Sequence, residues 1–245
     1  MSFQYTRPEG LPPIIKNIII INLLVWFAQM VFDNQYGLTD ILALKPILPA
    51  DLKSAMMLSG ELKESNLFKP YQIATHFFTH SPVNPFHILF NMFGLWFFGR
   101  RLENVWGHQR FLLFYLACGV GAAVFHLLIQ YFRAEALYTA FLQQNESGME
   151  RNAGALAPVV GASGALMGVL AAFAFYFPNT EIYMGFFPMP IKAKWLVLGY
   201  AAMDLFGGIA RSTTDNIAHF AHLGGAITGF IIVFIWNKTN RRTLY

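Results

Sequence analysis

Six apolar segments run through the chain, and their lengths constrain the fold more than any other feature. A helix needs roughly 20 residues to cross the hydrocarbon core of a bilayer, with about 17 to 25 usual. The second segment is short, but Arg100 and Arg101 follow it, and their side chains can extend towards the interface. The sequence therefore predicts an all-α, polytopic membrane protein with six transmembrane helices. The six segments are 14–32, 85–99, 111–132, 159–177, 195–209 and 217–236.

The composition agrees with a membrane protein and excludes several functional classes. Only 12% of the 245 residues are charged, whereas about 25% is usual in soluble domains. The net charge of +4 is spread between apolar segments, without a basic stripe interleaved with aromatic residues, so no nucleic-acid partner is expected. A single cysteine, Cys118, excludes an intrachain disulfide and a multi-cysteine metal site. No cofactor is expected.

The distribution of Lys and Arg predicts how the chain is oriented in the bilayer. Short cytoplasmic loops are enriched in these residues, whereas long loops cross largely regardless of charge. Most of the Lys and Arg residues in short connections lie on the side of the bilayer that holds both chain ends. Both termini are therefore predicted to be cytoplasmic. We expect a single domain over 1–245, with a tail at 1–13, a helical bundle at 14–237 and a second tail at 238–245.

Two of the connections are long. Residues 33–84 contain several prolines together with apolar pairs such as Phe77-Phe78, so we expect this first loop to lie on the membrane face as short interfacial helices. Residues 133–158 are mostly polar, and we expect them to form a mobile loop, above all around 143–154.

Polar side chains within the apolar segments are the candidate functional residues, because burying them in a membrane costs free energy. His87 and Asn91 are four residues apart and share one helix face. A helix rises 1.5 Å per residue, so Ser163 lies roughly 6 Å, His222 roughly 8 Å and Asn91 roughly 9 Å below the outer ends of their segments. The three side chains are therefore predicted to lie at one depth near the outer face.

Glycines predict which helices touch at this depth. Small residues at four-residue spacing let membrane helices approach closely, and a serine in such a run is explained by helix packing alone. A hydroxyl beside an imidazole at equal depth also forms a nucleophile and its general base, here Ser163 and His222. His87 and Asn91 could then donate hydrogen bonds to an oxyanion. The glycine pairs are Gly164 and Gly168 in segment four, and Gly225 and Gly229 in segment six.

Three short sequences in this order resemble the signatures of the rhomboid family of intramembrane serine proteases. The resemblance covers roughly residues 66–237. It implies that Ser163 is the nucleophile, that His222 is its general base, and that His87 and Asn91 stabilise the oxyanion. The three sequences are His87-x-x-x-Asn91, Gly161-Ala162-Ser163-Gly164 and Ala221-His222-Leu223-Gly224-Gly225.

The resemblance also implies a function and a location. A Ser-His dyad would cleave single-pass transmembrane protein substrates near the outer leaflet, and the six-helix form points to a bacterial cytoplasmic (inner) membrane. Glu103 is similar to an acidic residue that ties down the cytoplasmic end of the second helix. The fifth segment with the loop at 211–216 is similar to a mobile gate for substrate entry. Met167 stands where many bacterial members have a tyrosine against which the histidine packs.

Other polar residues are expected to have structural roles. His219 is the competing base, and a structural or gating role is expected for it. Asp204 is a candidate third member of a catalytic triad, but it is predicted to lie near mid-membrane and to bond a neighbouring helix. The expected machinery is therefore a dyad without a carboxylate. His76 and His80 are expected to be interfacial. A metal site built from them and the histidine of segment two would lack an acidic or cysteine ligand, so no metal is expected.

Two other functions are alternatives. A catalytically silent rhomboid-like protein that binds or escorts membrane proteins would lack Ser163 or His222, and both are present. A small transporter could relay protons through His87, Asp204 and His222. Such transporters usually contain internal repeats, and the sequence shows none.

Overall fold

A computed structural model of the chain describes residues 10–183, 189–210 and 219–239. Parts of the sequence predictions fall outside these ranges. They are most of both terminal tails, the gate loop at 211–216 and the first two residues of the sixth apolar segment.

The described residues form eleven α-helices, and each long helix coincides with a predicted apolar segment. A two-residue antiparallel ladder, β1 (Glu181–Ile182) and β2 (Ile191–Lys192), lies between α9 and α10. In chain order the helices are α1 (Pro13–Tyr36), α2 (Leu38–Leu42), α3 (Ala50–Leu58), α4 (Gln72–Thr75), α5 (Pro85–Gly94), α6 (Arg100–Trp106), α7 (His108–Leu142), α8 (Glu146–Asn152), α9 (Ser163–Tyr176), α10 (Ala193–Ala210) and α11 (His219–Thr239).

The helices are those of a polytopic membrane protein. Among the described residues, α1, α7 and α11 are long and apolar enough to cross a membrane, and α9 is a shorter apolar helix. A π-helical turn at Leu95–Gly99 joins α5 and α6 into one helical run. With α10, these helices account for the six predicted segments. The predicted all-α, polytopic bundle is therefore confirmed.

The helix ends differ most from the predicted boundaries in two places. The second segment was predicted to end at Gly99, but the helical run continues to Trp106. The third was predicted to end at Phe132, but α7 continues to Leu142. The charges of Arg100 and Arg101 did not end the helix there, because both side chains lie over aromatic rings. The guanidinium carbon of Arg100 lies 5.7 Å from the centre of one ring, and that of Arg101 lies 4.3 Å from the centre of another.

The connection at 133–158 is folded, which corrects the expectation of a mobile loop. It consists of the end of α7, then α8 and a 3₁₀ turn. The Asn145 side chain caps α8 by accepting from the Gly148 N–H at 3.1 Å. The Gln130 amide donates to the Ala157 carbonyl at 2.7 Å and closes the connection onto α7. Polar composition misled the prediction because side-chain amides here bond backbone groups of the connection itself.

The first loop contains the short helices that were predicted, and it also reaches the serine segment. Leu44 and Val159 exchange two backbone hydrogen bonds of 2.8 and 2.9 Å, so an antiparallel bridge joins this loop to the residues just before α9. Leu44 is fully buried in a small apolar cluster with Ala123 and Leu127 of α7. The first loop is therefore a structural support for the start of α9.

Glu103 of α6 holds the beginning of α1, in agreement with the resemblance that singled it out. Its carboxylate accepts hydrogen bonds from the Ile14 and Ile15 N–H groups at 3.0 and 2.9 Å, and His108 Nδ1 lies 2.7 Å away. The first N–H groups of a helix have no partner within that helix. A buried carboxylate satisfies two of them here and ties α1 to the end of the second helical run.

Candidate active site

The helices α9 and α11 touch through their backbones, as the glycine spacing predicted. A side chain on Gly225 would collide with the carbonyl oxygen of Gly164. A Cβ on Gly229 would lie 2.6 Å from the Gly168 Cα, closer than real Cβ contacts. Only glycine fits at these crossing points, and the first turn of α9 therefore lies directly against α11.

This contact brings together the serine and the histidine that the sequence singled out. Ser163 is the first residue of α9, and its Oγ lies 2.7 Å from His222 Nε2 on α11. Both residues are half-buried. The separation is that of a hydrogen-bonded nucleophile and general base. Because Ser163 stands at a helix N-terminus, the backbone there also favours negative charge.

The residues before Ser163 are fixed by the first loop. The Gly161 N–H donates to the His76 carbonyl at 2.9 Å. Gly161 has a φ of +127°, a conformation that residues with side chains rarely adopt. A Cβ at Gly161 would lie 2.7 Å from His87 Nε2 and 3.6 Å from Ser163 Oγ. The bare α-carbon of Gly161 therefore allows His87 and Ser163 to converge on one point.

Asn91 lies one turn from His87 and is engaged within its own helix. Its Nδ2 donates to the His87 carbonyl at 2.8 Å, and the residue is buried. This bond uses one of the two amide N–H groups. His87 itself accepts a long hydrogen bond, 3.4 Å, from the Ser81 N–H at Nδ1. The structure thus places His87 beside Ser163 and leaves Asn91 one turn further along α5.

Asp204 has a different position from the one predicted. It bonds a neighbouring helix, as expected, but its partner there is the candidate base. Asp204 Oδ1 on α10 lies 3.0 Å from His222 Nδ1 and 2.9 Å from His219 Nδ1. The expectation of a site without a carboxylate is therefore wrong as a description of the geometry. Ser163, His222 and Asp204 form a continuous hydrogen-bonded chain.

A depth count could have found Asp204. Counting from the inner end of segment five placed it near mid-membrane. However, Asp204 lies only six residues before Ala210, the last described residue of α10, which is roughly 9 Å along the helix axis. This is the depth that the sequence gave for Ser163 and His222, so the count from the outer end was the informative one.

A comparison with known families decides the wider assignment. The family described as "Rhomboid domain" matches residues 68–239, well over half of the chain. The chain belongs to the rhomboid family. That family includes intramembrane serine proteases.

Several rhomboids from other organisms resemble this chain over much of its length. "RHOMBOID-like protein 12, mitochondrial" of Arabidopsis thaliana is 28% identical over 220 residues, which cover 89% of this chain and 56% of that protein. "Rhomboid protease AarA" of Providencia stuartii is 28% identical over 228 residues, 88% of this chain and 69% of that protein. "Presenilin-associated rhomboid-like protein, mitochondrial" of Homo sapiens is 32% identical over 162 residues, 66% of this chain and 36% of that protein. The chain spans about half or less of the length of these mitochondrial relatives.

Two loop histidines of this rhomboid are buried, which corrects the expectation that they are interfacial. His76 is 2% exposed, and its Nδ1 lies 2.9 Å from the Gln72 carbonyl; burial lowers its pKa to about 4. His80 is fully buried, and burial, with a smaller effect of nearby His87, lowers its pKa to about 3. Its Nε2 lies 3.5 Å from the Ala162 N–H. Both imidazoles are therefore uncharged; that of His80 accepts from the segment before Ser163, whereas His76 reaches this segment through its backbone carbonyl.

The described ranges contain no group of three or more His, Cys, Asp or Glu side chains that could hold a metal ion. Met167, which stands at the tyrosine position of many rhomboids, packs against the main hydrophobic core. Within the described part of the chain, no aromatic ring stacks on His222. The contacts that hold its imidazole are hydrogen bonds at both ring nitrogens.

Proposed function

We propose that this rhomboid is an intramembrane serine endopeptidase that cleaves single-pass transmembrane proteins near the outer leaflet. The observation that carries the proposal is the 2.7 Å contact between Ser163 Oγ and His222 Nε2, on two helices that glycines hold in backbone contact. Membership of a family that includes intramembrane serine proteases supports it.

The chemistry follows from this pair. His222 Nε2 takes the Ser163 hydroxyl proton as Oγ attacks the scissile carbonyl, forming a tetrahedral intermediate. The imidazolium then gives the proton to the leaving amine, and an acyl-enzyme remains. Water attacks the acyl carbonyl and His222 takes the water proton. The imidazolium then gives this proton to Ser163 Oγ as the bond from Oγ to the acyl carbon breaks, which releases the carboxylic acid product and free Ser163. Each step returns the proton through one nitrogen, so no further acid or base is required.

The intermediate's oxyanion requires hydrogen-bond donors. The N–H groups in the first turn of a helix have no partner within that helix, and Ser163 begins such a turn. His87 lies across Gly161 from Ser163 Oγ and can donate from Nε2 in the appropriate tautomer. Asn91 has a second amide N–H besides the one bonded to the His87 carbonyl. We assign these groups to oxyanion stabilisation.

A site within a membrane bundle selects its substrates by location. A transmembrane helix has its amide groups bonded internally, so it must unwind locally before a carbonyl reaches Ser163. We therefore expect substrates with small residues at the cut and helix-destabilising residues in the spanning segment. The Lys and Arg distribution supports cytoplasmic termini, and the six-helix form supports a bacterial cytoplasmic membrane. Labelling of single cysteines introduced at 145 and at 108 from each side of the membrane tests this orientation.

The decisive experiment uses purified protein in detergent with a single-pass transmembrane substrate. Ser163→Ala and His222→Ala are each expected to lower kcat by at least about 10³-fold, since the serine and its base act as one unit. Ser147→Ala, at an exposed position on α8, is the matched control and should cleave normally. A fluorophosphonate should label the wild type and Ser147→Ala but not Ser163→Ala. Unchanged cleavage by Ser163→Ala would exclude the proposal and leave a binding or escort role.

A further inference from the structure

We propose that Asp204 is a positioning residue for His222, so that the working unit is Ser163–His222–Asp204 rather than a Ser-His dyad. This inference rests on the proposed function, because it assigns Asp204 a role in the same reaction. Its basis is one carboxylate oxygen that accepts from His222 Nδ1 at 3.0 Å while His222 Nε2 lies 2.7 Å from Ser163 Oγ.

The first argument is the cost of the carboxylate. Asp204 is 7% exposed, on a helix of a membrane bundle. Moving an ionised carboxylate out of water costs a large amount of free energy unless hydrogen bonds and opposite charge compensate the lost hydration. The compensating groups here are two imidazole N–H donors, those of His219 and His222. A residue that only filled space in α10 would not need either of them.

The second argument concerns the tautomer of His222. An ionised carboxylate only accepts hydrogen bonds, so a bond from Asp204 places a hydrogen on His222 Nδ1. The other nitrogen, Nε2, then carries a lone pair, and it is Nε2 that faces the Ser163 hydroxyl. This is the tautomer that a general base needs. The opposite tautomer would present an N–H to the hydroxyl and could not take its proton.

The third argument is that no aromatic ring within the described ranges stacks on His222. Many bacterial rhomboids have a tyrosine at the position of Met167, whereas here a thioether packs into the core below the site. Among the described residues, the polar contacts of the His222 ring are the Ser163 hydroxyl and the Asp204 carboxylate. A hydrogen bond along the ring plane fixes its orientation as well as a stacked ring would, and it adds charge stabilisation to the imidazolium.

A purely structural role is the competing explanation. Asp204 Oδ1 also accepts from His219 Nδ1 at 2.9 Å, and that bond would tie α10 to α11 even if His222 needed no help. The two roles make opposite predictions for His219. If Asp204 only joins the helices, removing His219 should be as damaging as removing the carboxylate. If Asp204 positions His222, removing His219 should leave the rate nearly unchanged.

The test compares Asp204→Asn, Asp204→Glu and His219→Asn with the wild type in the transmembrane cleavage assay. Asp204→Asn should lower kcat by roughly 10²- to 10⁴-fold, the range seen when a triad carboxylate becomes an amide, with KM within about threefold of wild type. The second-order rate of fluorophosphonate labelling should fall in parallel, because a small probe reports serine activation without substrate entry. Asp204→Glu should recover at least tenfold of the loss, and His219→Asn should stay within about threefold.

The outcomes separate this inference from the proposed function. A wild-type kcat in Asp204→Asn, beside an inactive Ser163→Ala, overturns the inference and leaves the protease. A loss in His219→Asn equal to that in Asp204→Asn also overturns it, in favour of the helix tie. Cleavage by Ser163→Ala overturns the proposed function itself. If Asp204→Asn does not fold, the pair Asp204→Glu and Asp204→Gln decides, because only the charged member should retain measurable labelling.

Discussion

The helix that carries His222 has two faces, and they are held by different kinds of contact. Towards α9 the contact is backbone against backbone, with Gly225 on the Gly164 carbonyl. Towards α10 the contact is made by side chains, with the Asp204 carboxylate between two imidazoles. The first face sets the distance from His222 to Ser163. The second sets the orientation of the His222 ring.

This difference determines how each face tolerates change. Two backbones in contact cannot move apart to accept a methyl group without shifting a whole helix. A side chain can rotate away, at the cost of its own contacts. The α9 face is therefore expected to act as an all-or-none element, whereas the α10 face is expected to respond in graded steps. The Asp204 variants above test the second face, and the following substitutions compare it with the first.

The largest effect is expected from Gly225→Ala. The added Cβ meets the Gly164 carbonyl, so α9 and α11 must separate, and Ser163 moves away from His222. A displacement of about 1 Å can cost about 10²-fold in rate, and we expect at least that loss of kcat. Gly199→Ala, on an exposed part of α10 with open space around it, is the matched control. Full activity of Gly225→Ala would mean that the backbone contact does not set the Ser-His distance.

A smaller effect is expected from acid, which acts on neither face but on the loop behind Ser163. The pKa of His76 is lowered from 6.5 to about 4 and that of His80 from 6.5 to about 3. As the pH falls, these two histidines therefore bind protons in the unfolded chain before they do so in the folded protein. Their contribution to the free energy of unfolding is fully present above about pH 6.5 and is lost as the pH falls towards 4.

This acid sensitivity is measurable by thermal unfolding in detergent. Two buried imidazoles that must be protonated should lower the unfolding midpoint by roughly 5–10 °C between pH 7 and 5. His76→Gln, which can still donate to the Gln72 carbonyl, should reduce that difference. A midpoint that rises on acidification would show that these histidines are charged in the folded protein.

The smallest effect is expected from Gly207→Ala, on the side-chain face. The added methyl meets the imidazole of His219, which can turn aside. We expect kcat to fall by less than about tenfold, and the loss should disappear in a Gly207→Ala, His219→Ala double variant. Because the neighbours of Gly225 are backbone atoms, no side-chain truncation should rescue Gly225→Ala. A Gly207→Ala defect that persists in the double variant would contradict the distinction between the two faces.

The residues that sequence reasoning placed correctly are those whose position depends on local repeats. The pairing of Ser163 with His222 followed from glycine spacing and from depth along straight helices, both of which depend on residues within two turns. The helical segments followed from apolar length alone. Glu103 was found through a motif resemblance, and its partners at the start of α1 could not be named from composition.

What the sequence did not predict depends on contacts between distant parts of the chain. His76 and His80 lie in a loop that was expected to rest on the membrane face, yet its backbone and side chains are bonded to the segment before α9. Predicting the bond between Asp204 and His222 would have required knowing from which end of α10 the depth of Asp204 should be counted. Predicting the fold of the connection at 133–158 would have required knowing that side-chain amides bond its backbone.

The bridge between Leu44 and Val159, together with the Gly161 bond to the His76 carbonyl, has a consequence for the order of folding. The turn that presents the nucleophile is stabilised by residues from the first third of the chain, and the base lies near the C-terminal end. Contacts between residues so far apart in sequence form slowly and late in folding. In a growing chain the serine turn can therefore close only after residues 159–161 have been added to the first loop, and the contact between Ser163 and His222 has to wait for the last helix, α11.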